Sequence, residues 1–322
     1  MKFKAAVVQD SPVVFNLEAT INKIDKLVKK ACGKGAKLIV FPEAFVSSYP
    51  KGMDFGARIG SRTDAGRKDF LKYYNSSLDF NSREFKRILG IAKKNKVFLV
   101  VGVIEKAQGT LYCTVVHISD KGKYLGKHRK IMPTASERLV WGFGDGSTLD
   151  AYKTSIGTLG SVICWENYMP MLRMTMYNQN VQLYCAPTAD DRKSWISSMK
   201  HIALEGRCFV LSACQLLLRK DCPKDYSVNI KDPKSYLMKG GSCIVSPLGE
   251  VLAGPDYKEK KILYANIDLD EIIKGKYDFD VVGHYSRPDI FKLMVDKKNK
   301  SDSGLENRIK YSEGYPKNNS VK

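Results

Sequence analysis

Three side chains in this sequence have types and settings that could serve one reaction: the carboxyl of Glu43, the amine of Lys130 and the thiol of Cys164. Glu43 follows an apolar run in Phe41-Pro42-Glu43. Lys130 sits in His128-Arg129-Lys130-Ile131-Met132-Pro133, and Cys164 closes an apolar run in Ile163-Cys164-Trp165-Glu166-Asn167. A thiol of ordinary pKa is mostly protonated at pH 7, so a nucleophilic cysteine needs a base or a neighbouring cation. Glu43 could take the proton and Lys130 could hold negative charge as it develops. Each residue also has an ordinary reading. A cysteine at a strand end is commonly core, a Glu after Pro a loop charge, and a Lys after His-Arg part of a solvated basic cluster. The spacing between the three does not separate these readings.

The elements around them do narrow the choice. Apolar β-rich runs alternate with amphipathic helical runs, which predicts an α/β layered fold. Phe3 to Gln9 reads as a strand, and Leu17 to Cys32 as a helix with Leu17, Ile21, Ile24, Leu27, Val28 and Ala31 on one face. Strands are predicted at Lys37 to Phe41 and Val97 to Ile104, with a helix at Glu84 to Asn95 between them. Asp120-Lys121-Gly122-Lys123 is a hairpin signal between Cys113 to Ile118 and Tyr124 to Lys127. Thr158 to Ile163 reads as a strand running into Cys164, Met171 to Asn180 as a helix, Gln182 to Ala186 as a strand and Ser194 to Glu205 as a helix. Further strands are expected at Phe209 to Cys214, Ser242 to Ser246 and Ile262 to Ile267. Asp221 to Tyr236 reads as an exposed excursion. All three candidate residues then follow strand ends, where ligands bind in open α/β sheets.

Composition sets the remaining bounds. The 322 residues are 43% hydrophobic and 10% aromatic, enough for a sizeable core. The strongly apolar runs are far shorter than the roughly 20 residues that span a bilayer, and the N-terminus is too short in apolar residues for a signal peptide. A cytoplasmic enzyme without membrane association is the expectation. The eight cysteines show no C-x-x-C pair or zinc spacing, and no glycine-rich phosphate loop is present, so no metal or cofactor is expected. The net charge of +19 is spread in small lysine clusters without interleaved aromatics. It reads as a solvated surface rather than a nucleic-acid site. One α/β domain over residues 1–294 is expected, followed by a polar flexible tail over 295–322.

The motif wording carries more. Phe41-Pro42-Glu43, His128 to Thr134, Glu137-Arg138-Leu139-Val140-Trp141-Gly142 with Gly146-Ser147, Cys164-Trp165-Glu166-Asn167, Tyr184 to Asp190, His201 to Gly206 and Gly283 to Pro288 together closely resemble the nitrilases. These form the nitrile-hydrolysing branch of the carbon–nitrogen hydrolase superfamily, and the resemblance runs from about residue 3 to 294. It implies a four-layer αββα sandwich whose subunits pair to extend it, with larger spirals or rings among the expected assemblies. It implies Cys164 as nucleophile, Glu43 as general base, Lys130 as stabiliser of charge on nitrogen, and Glu137 as a second carboxylate beside them. Glu137 keeps an ordinary reading as a surface residue paired with Arg138. Tyr49 and Trp165 are candidates to line a pocket for a small-molecule nitrile. Cys185 and His201 read as structural. One departure stands out: Val46-Ser47-Ser48-Tyr49-Pro50 lacks the glycines that relatives carry before Tyr-Pro. The rival readings are an amidase or carbamoylase of the same superfamily and a basic binding protein without activity.

Overall fold

The computed structural model describes residues 1–300. The first part of the chain contributes strands β1 (Lys2–Gln9), β2 (Ala36–Val40), β3 (Phe98–Ala107), β4 (Thr110–Ile118) and β5 (Tyr124–Arg129). After these come β6 (Tyr152–Thr154), β7 (Gly157–Ser161), β8 (Leu183–Cys185) and β9 (Phe209–Ser212). The last are β10 (Leu216–Leu218), β11 (Tyr236–Lys239), β12 (Cys243–Val245), β13 (Val251–Ala253) and β14 (Lys261–Asp268). The helices are α1 (Leu17–Cys32), α2 (Asp64–Asn75), α3 (Arg83–Asn95), α4 (Pro170–Tyr177), α5 (Trp195–Gly206) and α6 (Asp270–Asp278).

Two six-stranded sheets form, ordered β14-β1-β2-β3-β4-β5 and β13-β12-β9-β8-β7-β6. Each has parallel strands at its centre (β1, β2 and β3; β7, β8 and β9) and antiparallel neighbours outside them. Both faces of the central strands are covered. Val7, Leu38, Val40 and Val100 meet Leu159, Leu183, Phe209 and Leu211 of the other sheet. The alternate residues Ala6, Val8, Ile39 and Val101 pack under α1 and α3. On the far side Val162, Tyr184 and Val210 pack under α4 and α5. The layers are therefore α, β, β, α. Strands buried on both faces read as unbroken apolar runs, the pattern that marked them in the sequence.

The helices form where their ends are capped and one stripe is apolar. Asn16 accepts from Ala19 N at the start of α1, and Ser82 from Phe85 N at the start of α3. The pattern did not predict α2, where Gly66 and Tyr73 alone are buried, nor α6. The 221–236 excursion is bounded by the β10–β11 pair, and Tyr226 within it is buried, its hydroxyl donating to Lys51 O at 2.9 Å. Of the expected tail, Val295 packs on the α4–α5 core and Lys297 pairs with Asp150 at 2.6 Å; residues 301–322 lie outside the described ones.

β3 passes directly beneath the segment that leaves β2. A Cβ on Gly102 would lie 2.1 Å from Pro42 O and 2.7 Å from Glu43 Cα, so the backbone carrying Glu43 needs a glycine there. Gly102→Ala is expected to destabilise by about 1–3 kcal/mol, the usual cost of overpacking, and to lower turnover because Glu43 is what must move. Gly90 in α3 has open space around it, and Gly90→Ala should stabilise by about 1 kcal/mol. Thermal melts of both variants beside the wild type check this; equal effects would refute the close-approach argument.

Candidate active site

Cys164 stands at the end of a continued strand. Past β7 the ladder persists, with Val162 N donating to Cys185 O at 3.0 Å and Cys164 N to Pro187 O at 2.9 Å. The chain then turns sharply at Cys164, whose φ is +50°, into a short 3₁₀ turn over Cys164–Tyr168. Left-handed backbone on a residue with a Cβ stores strain and is held only where surroundings enforce it. Asn167 supplies that hold, its amide donating to Val162 O at 3.0 Å and Cys164 O at 2.8 Å. Thr188 Oγ1 donates to the sulfur at 3.2 Å. Burial pushes the Cys164 thiol up to about 12 and the charge of Glu43 adds to this, while Lys130, the Thr188 hydroxyl and Ala189 N–H pull it back.

The structure brings Glu43, Lys130 and Glu137 together. Lys130 N donates to Cys113 O at 2.8 Å, fixing the segment past β5 against β4. Its ammonium lies 2.7 Å from Glu43 Oε1 and 2.8 Å from Glu137 Oε2, with the lysine fully buried. It also stands 5.7 Å from the centroid of Trp141. Glu137 Oε1 accepts from Tyr49 Oη at 2.7 Å and Oε2 from Thr134 N at 2.6 Å. The surface reading of Glu137 is thereby excluded, and Arg138 instead donates to Pro133 O. Burial holds the Glu43 carboxyl above its ordinary range in spite of Lys130. Burial works against the Lys130 charge as well, yet Glu43, Cys164, Cys113 and Glu137 outweigh it and keep the ammonium well above the usual lysine range. Glu43 Oε2 has no hydrogen-bond partner among the described residues. That oxygen is a buried acceptor with its capacity unused.

A cavity of about 230 Å³ opens onto the sulfur, lined by Tyr49, Lys51, Thr134, Glu137, Cys164, Trp165, Ala189, Asp190, Asp191 and Arg192. Both proposed lining aromatics are in it. Tyr49 is held by Glu137 and stands edge-on to Trp141; Trp165 is 44% exposed, so it borders the mouth rather than the core. Its indole donates to Asp190 at 2.8 Å, Asp190 also pairs with Arg192, and the Arg192 guanidinium lies 4.8 Å over the ring. Ser47 and Ser48 are buried with φ of +87° and +82°. The glycine-type backbone is kept without glycine, and Ser47 Oγ donates to Ser76 O at 2.7 Å to brace it.

Other positions fall outside. Cys185 is buried within β8, and His201 is exposed on α5 near Glu205. Among the described residues no cluster of His, Cys, Asp or Glu side chains could hold a metal ion, and no helix is long and apolar enough to cross a membrane. Sequence reasoning did not single out Thr188, although it lies inside the Tyr184 to Asp190 run, nor Lys51 and Arg192 at the cavity. Because Thr188 lowers the thiol pKa, Thr188→Val should raise it and leave less thiolate at any given pH. Alkylation of Cys164 by iodoacetamide at pH 8 should slow by about tenfold, the value of a hydrogen bond to a charged group. Peptide mapping over a time course reads this, and an unchanged rate would remove Thr188 from the account.

Comparisons with known proteins show the family. Residues 4–277 match the carbon–nitrogen hydrolase family model. The chain is 54% identical to an aliphatic nitrilase of Sinorhizobium fredii, covering 93% of this chain and 97% of that protein. It is 51% identical to a bifunctional nitrilase/nitrile hydratase of Lupinus angustifolius over 91% of this chain and 85% of that one. Among solved structures, a carbon–nitrogen hydrolase from Helicobacter pylori superposes with a TM-score of 0.72 at 21% identity, covering 90% of this chain and 97% of that one. A two-sheet sandwich of this topology and half-identity over nine-tenths of the chain lead to one conclusion: the protein belongs to the carbon–nitrogen hydrolase family, on its nitrilase branch.

Proposed function

We propose that the chain hydrolyses an organic nitrile to the carboxylic acid and ammonia, with Cys164 as nucleophile. The observation that carries the proposal is the buried ammonium of Lys130, held by Glu43 and Glu137 beside the Cys164 cavity. The likeness to relatives named nitrilases supports it. In this reaction Glu43 takes the thiol proton as sulfur adds to the nitrile carbon, and negative charge builds on nitrogen. Lys130 faces that charge from a position removed from solvent, held in place by two carboxylates, so its cation is preorganised. Protonation gives a thioimidate. Water adds to its carbon, ammonia leaves and a thioester remains. A second water cleaves the thioester, releasing the acid and restoring the thiol. Glu137 orients Lys130 and, through Tyr49, one wall of the cavity.

The nitrile reading is tested with a panel of nitriles and the matching amides, quantifying acid, amide and ammonia. Nitriles should be converted mainly to acid and ammonia, and amides slowly. Cys164→Ala should abolish turnover with circular dichroism unchanged, while Cys185→Ala retains most of it. Lys130→Ala and Glu43→Gln should each cost about 10²–10⁴-fold in kcat. Amides outpacing nitriles across the panel would assign an amidase instead.

We also propose a homo-oligomer built from dimers. Around α4 and α5 several apolar side chains face outward: Met171 is 68% exposed, and Tyr168 and Leu204 about 40%. Apolar surface of this kind marks association sites. Light scattering at low micromolar concentration should give a mass of at least two 36 kDa chains; a fully active monomer would exclude the proposal.

A further inference from the structure

Glu166 lies two residues past the nucleophile and touches none of the cavity. It is nonetheless among the most enclosed carboxylates of the described residues, at 1% exposure, and no Lys or Arg among them pairs with it. Its partners explain the placement. Oε1 accepts from Ile131 N at 2.7 Å; Oε2 accepts from His128 Nε2 at 3.0 Å and from Ile163 N at 3.1 Å. Ile163 is the residue immediately before Cys164. Ile131 follows Lys130 directly, and His128 precedes it by two. One carboxylate thus joins the nucleophile turn of one sheet to the Lys130 segment of the other.

We propose that Glu166 is a positioning residue that sets the distance between the Cys164 sulfur and the Lys130 ammonium. The inference rests on Cys164 and Lys130 acting as described above. Three N–H donors converge on two oxygens, so only an acceptor at both ends satisfies them. A carboxylate oxygen accepts, so His128 Nε2 is the donor of that bond, and its Nδ1 has no partner among the described residues. An amide of the same shape cannot serve. With its oxygen on Ile131 N, its NH₂ faces Ile163 N, donor against donor. With the amide turned over, Ile131 N loses its acceptor. The first arrangement loosens the nucleophile turn itself, whose Ile163 N loses its acceptor, and the second removes one of the two links to the Lys130 segment; both leave the cavity walls untouched.

Glu166→Gln is therefore expected to lower kcat per titrated active site by ~10²-fold, the scale of an ångström-sized displacement of reacting groups. KM should stay within about threefold, since no group that meets substrate changes. Alkylation of Cys164 by iodoacetamide should slow by about tenfold as the thiol loses its cation. Glu166→Asp keeps the charge but is one methylene too short to reach both segments, and should show the same loss if the Gln variant folds poorly. Glu105→Gln provides the structural comparison. Glu105 is also buried and grips Arg129 and Lys127 of the same strand, yet it makes no contact with the nucleophile turn. It should lower Tm while kcat per titrated site and the alkylation rate hold. Wild-type kcat per site in both Glu166 variants, or an equal loss in Glu105→Gln at matched Tm, would overturn the clamp. Cys164→Ala run alongside separates the two levels. If it is inactive, the Glu166 variants alone decide the clamp; if it still turns over, the nucleophile assignment fails and the clamp with it.

Discussion

An ammonium group fully removed from solvent is expensive unless opposite charges meet it, and much of the candidate site follows from how Lys130 is met. Two carboxyl groups flank it at under 3 Å, so the ammonium is met from two sides. Removing one member of such a cluster typically costs about 3–5 kcal/mol, because the charge left behind has no partner. The carboxylates help keep Lys130 protonated, while burial first, and neighbouring negative charge after it, holds the Glu43 and Cys164 acids above their ordinary ranges. The thiol does not rest as thiolate. In the proposed reaction it is a buried acid that loses its proton during attack, beside a carboxylate whose second oxygen has no partner among the described residues.

Holding such a cluster together takes backbone from both sheets. Glu43 leaves β2 over Gly102, Lys130 leaves β5 against Cys113 O, and Cys164 leaves the end of β7 against Pro187 O. Gln215 reaches across from beyond β9 and donates to Glu43 O at 2.8 Å. The departures are abrupt: Ala44, Ser47, Ser48 and Cys164 all have positive φ. Strain of this kind persists only where surrounding contacts over-determine the backbone, and these four residues are all buried. The two sheets supply the rigidity and the short turns beyond them supply the aim.

How much of this was legible in the sequence depended on the range of the interaction. Strands buried on both faces read directly as apolar runs, which placed Glu43 and Cys164 at strand ends. The helix α2 did not, since its buried residues are too few to set a period. Lys130 is the sharper case. Nothing local separates it from Lys127 or Lys123, and only partners 87 residues before and 7 residues after it explain its burial. The resemblance to nitrilases supplied that grouping, whereas periodicity could not. Thr188 went unnoticed because a hydroxyl donating to a sulfur 24 residues earlier leaves no trace in spacing. Glu166 sat in plain view inside the Cys-Trp-Glu-Asn wording, but two of its three partners are backbone N–H groups, which have no sequence signature.

The raised Glu43 carboxyl has a consequence for the later steps of the proposed reaction. A carboxyl of ordinary pKa would surrender a captured proton to water at once. One held above that range by burial can keep it near the reacting atoms. After sulfur addition Glu43 is then a neutral acid, and the nitrogen that must leave as ammonia is a base needing protons. Lys130 is ill suited to deliver them, because its own proton is bound more tightly than an ordinary lysine's. Glu43 is the better donor, so base and acid roles fall to one carboxylate in alternate steps, while Lys130 remains a fixed charge throughout. Whether carbon–nitrogen or carbon–sulfur cleavage wins at the tetrahedral stage turns on that proton arriving at nitrogen. In the proposed reaction the placement of Glu43 and Lys130 beside Cys164 therefore bears on the product as well as the rate.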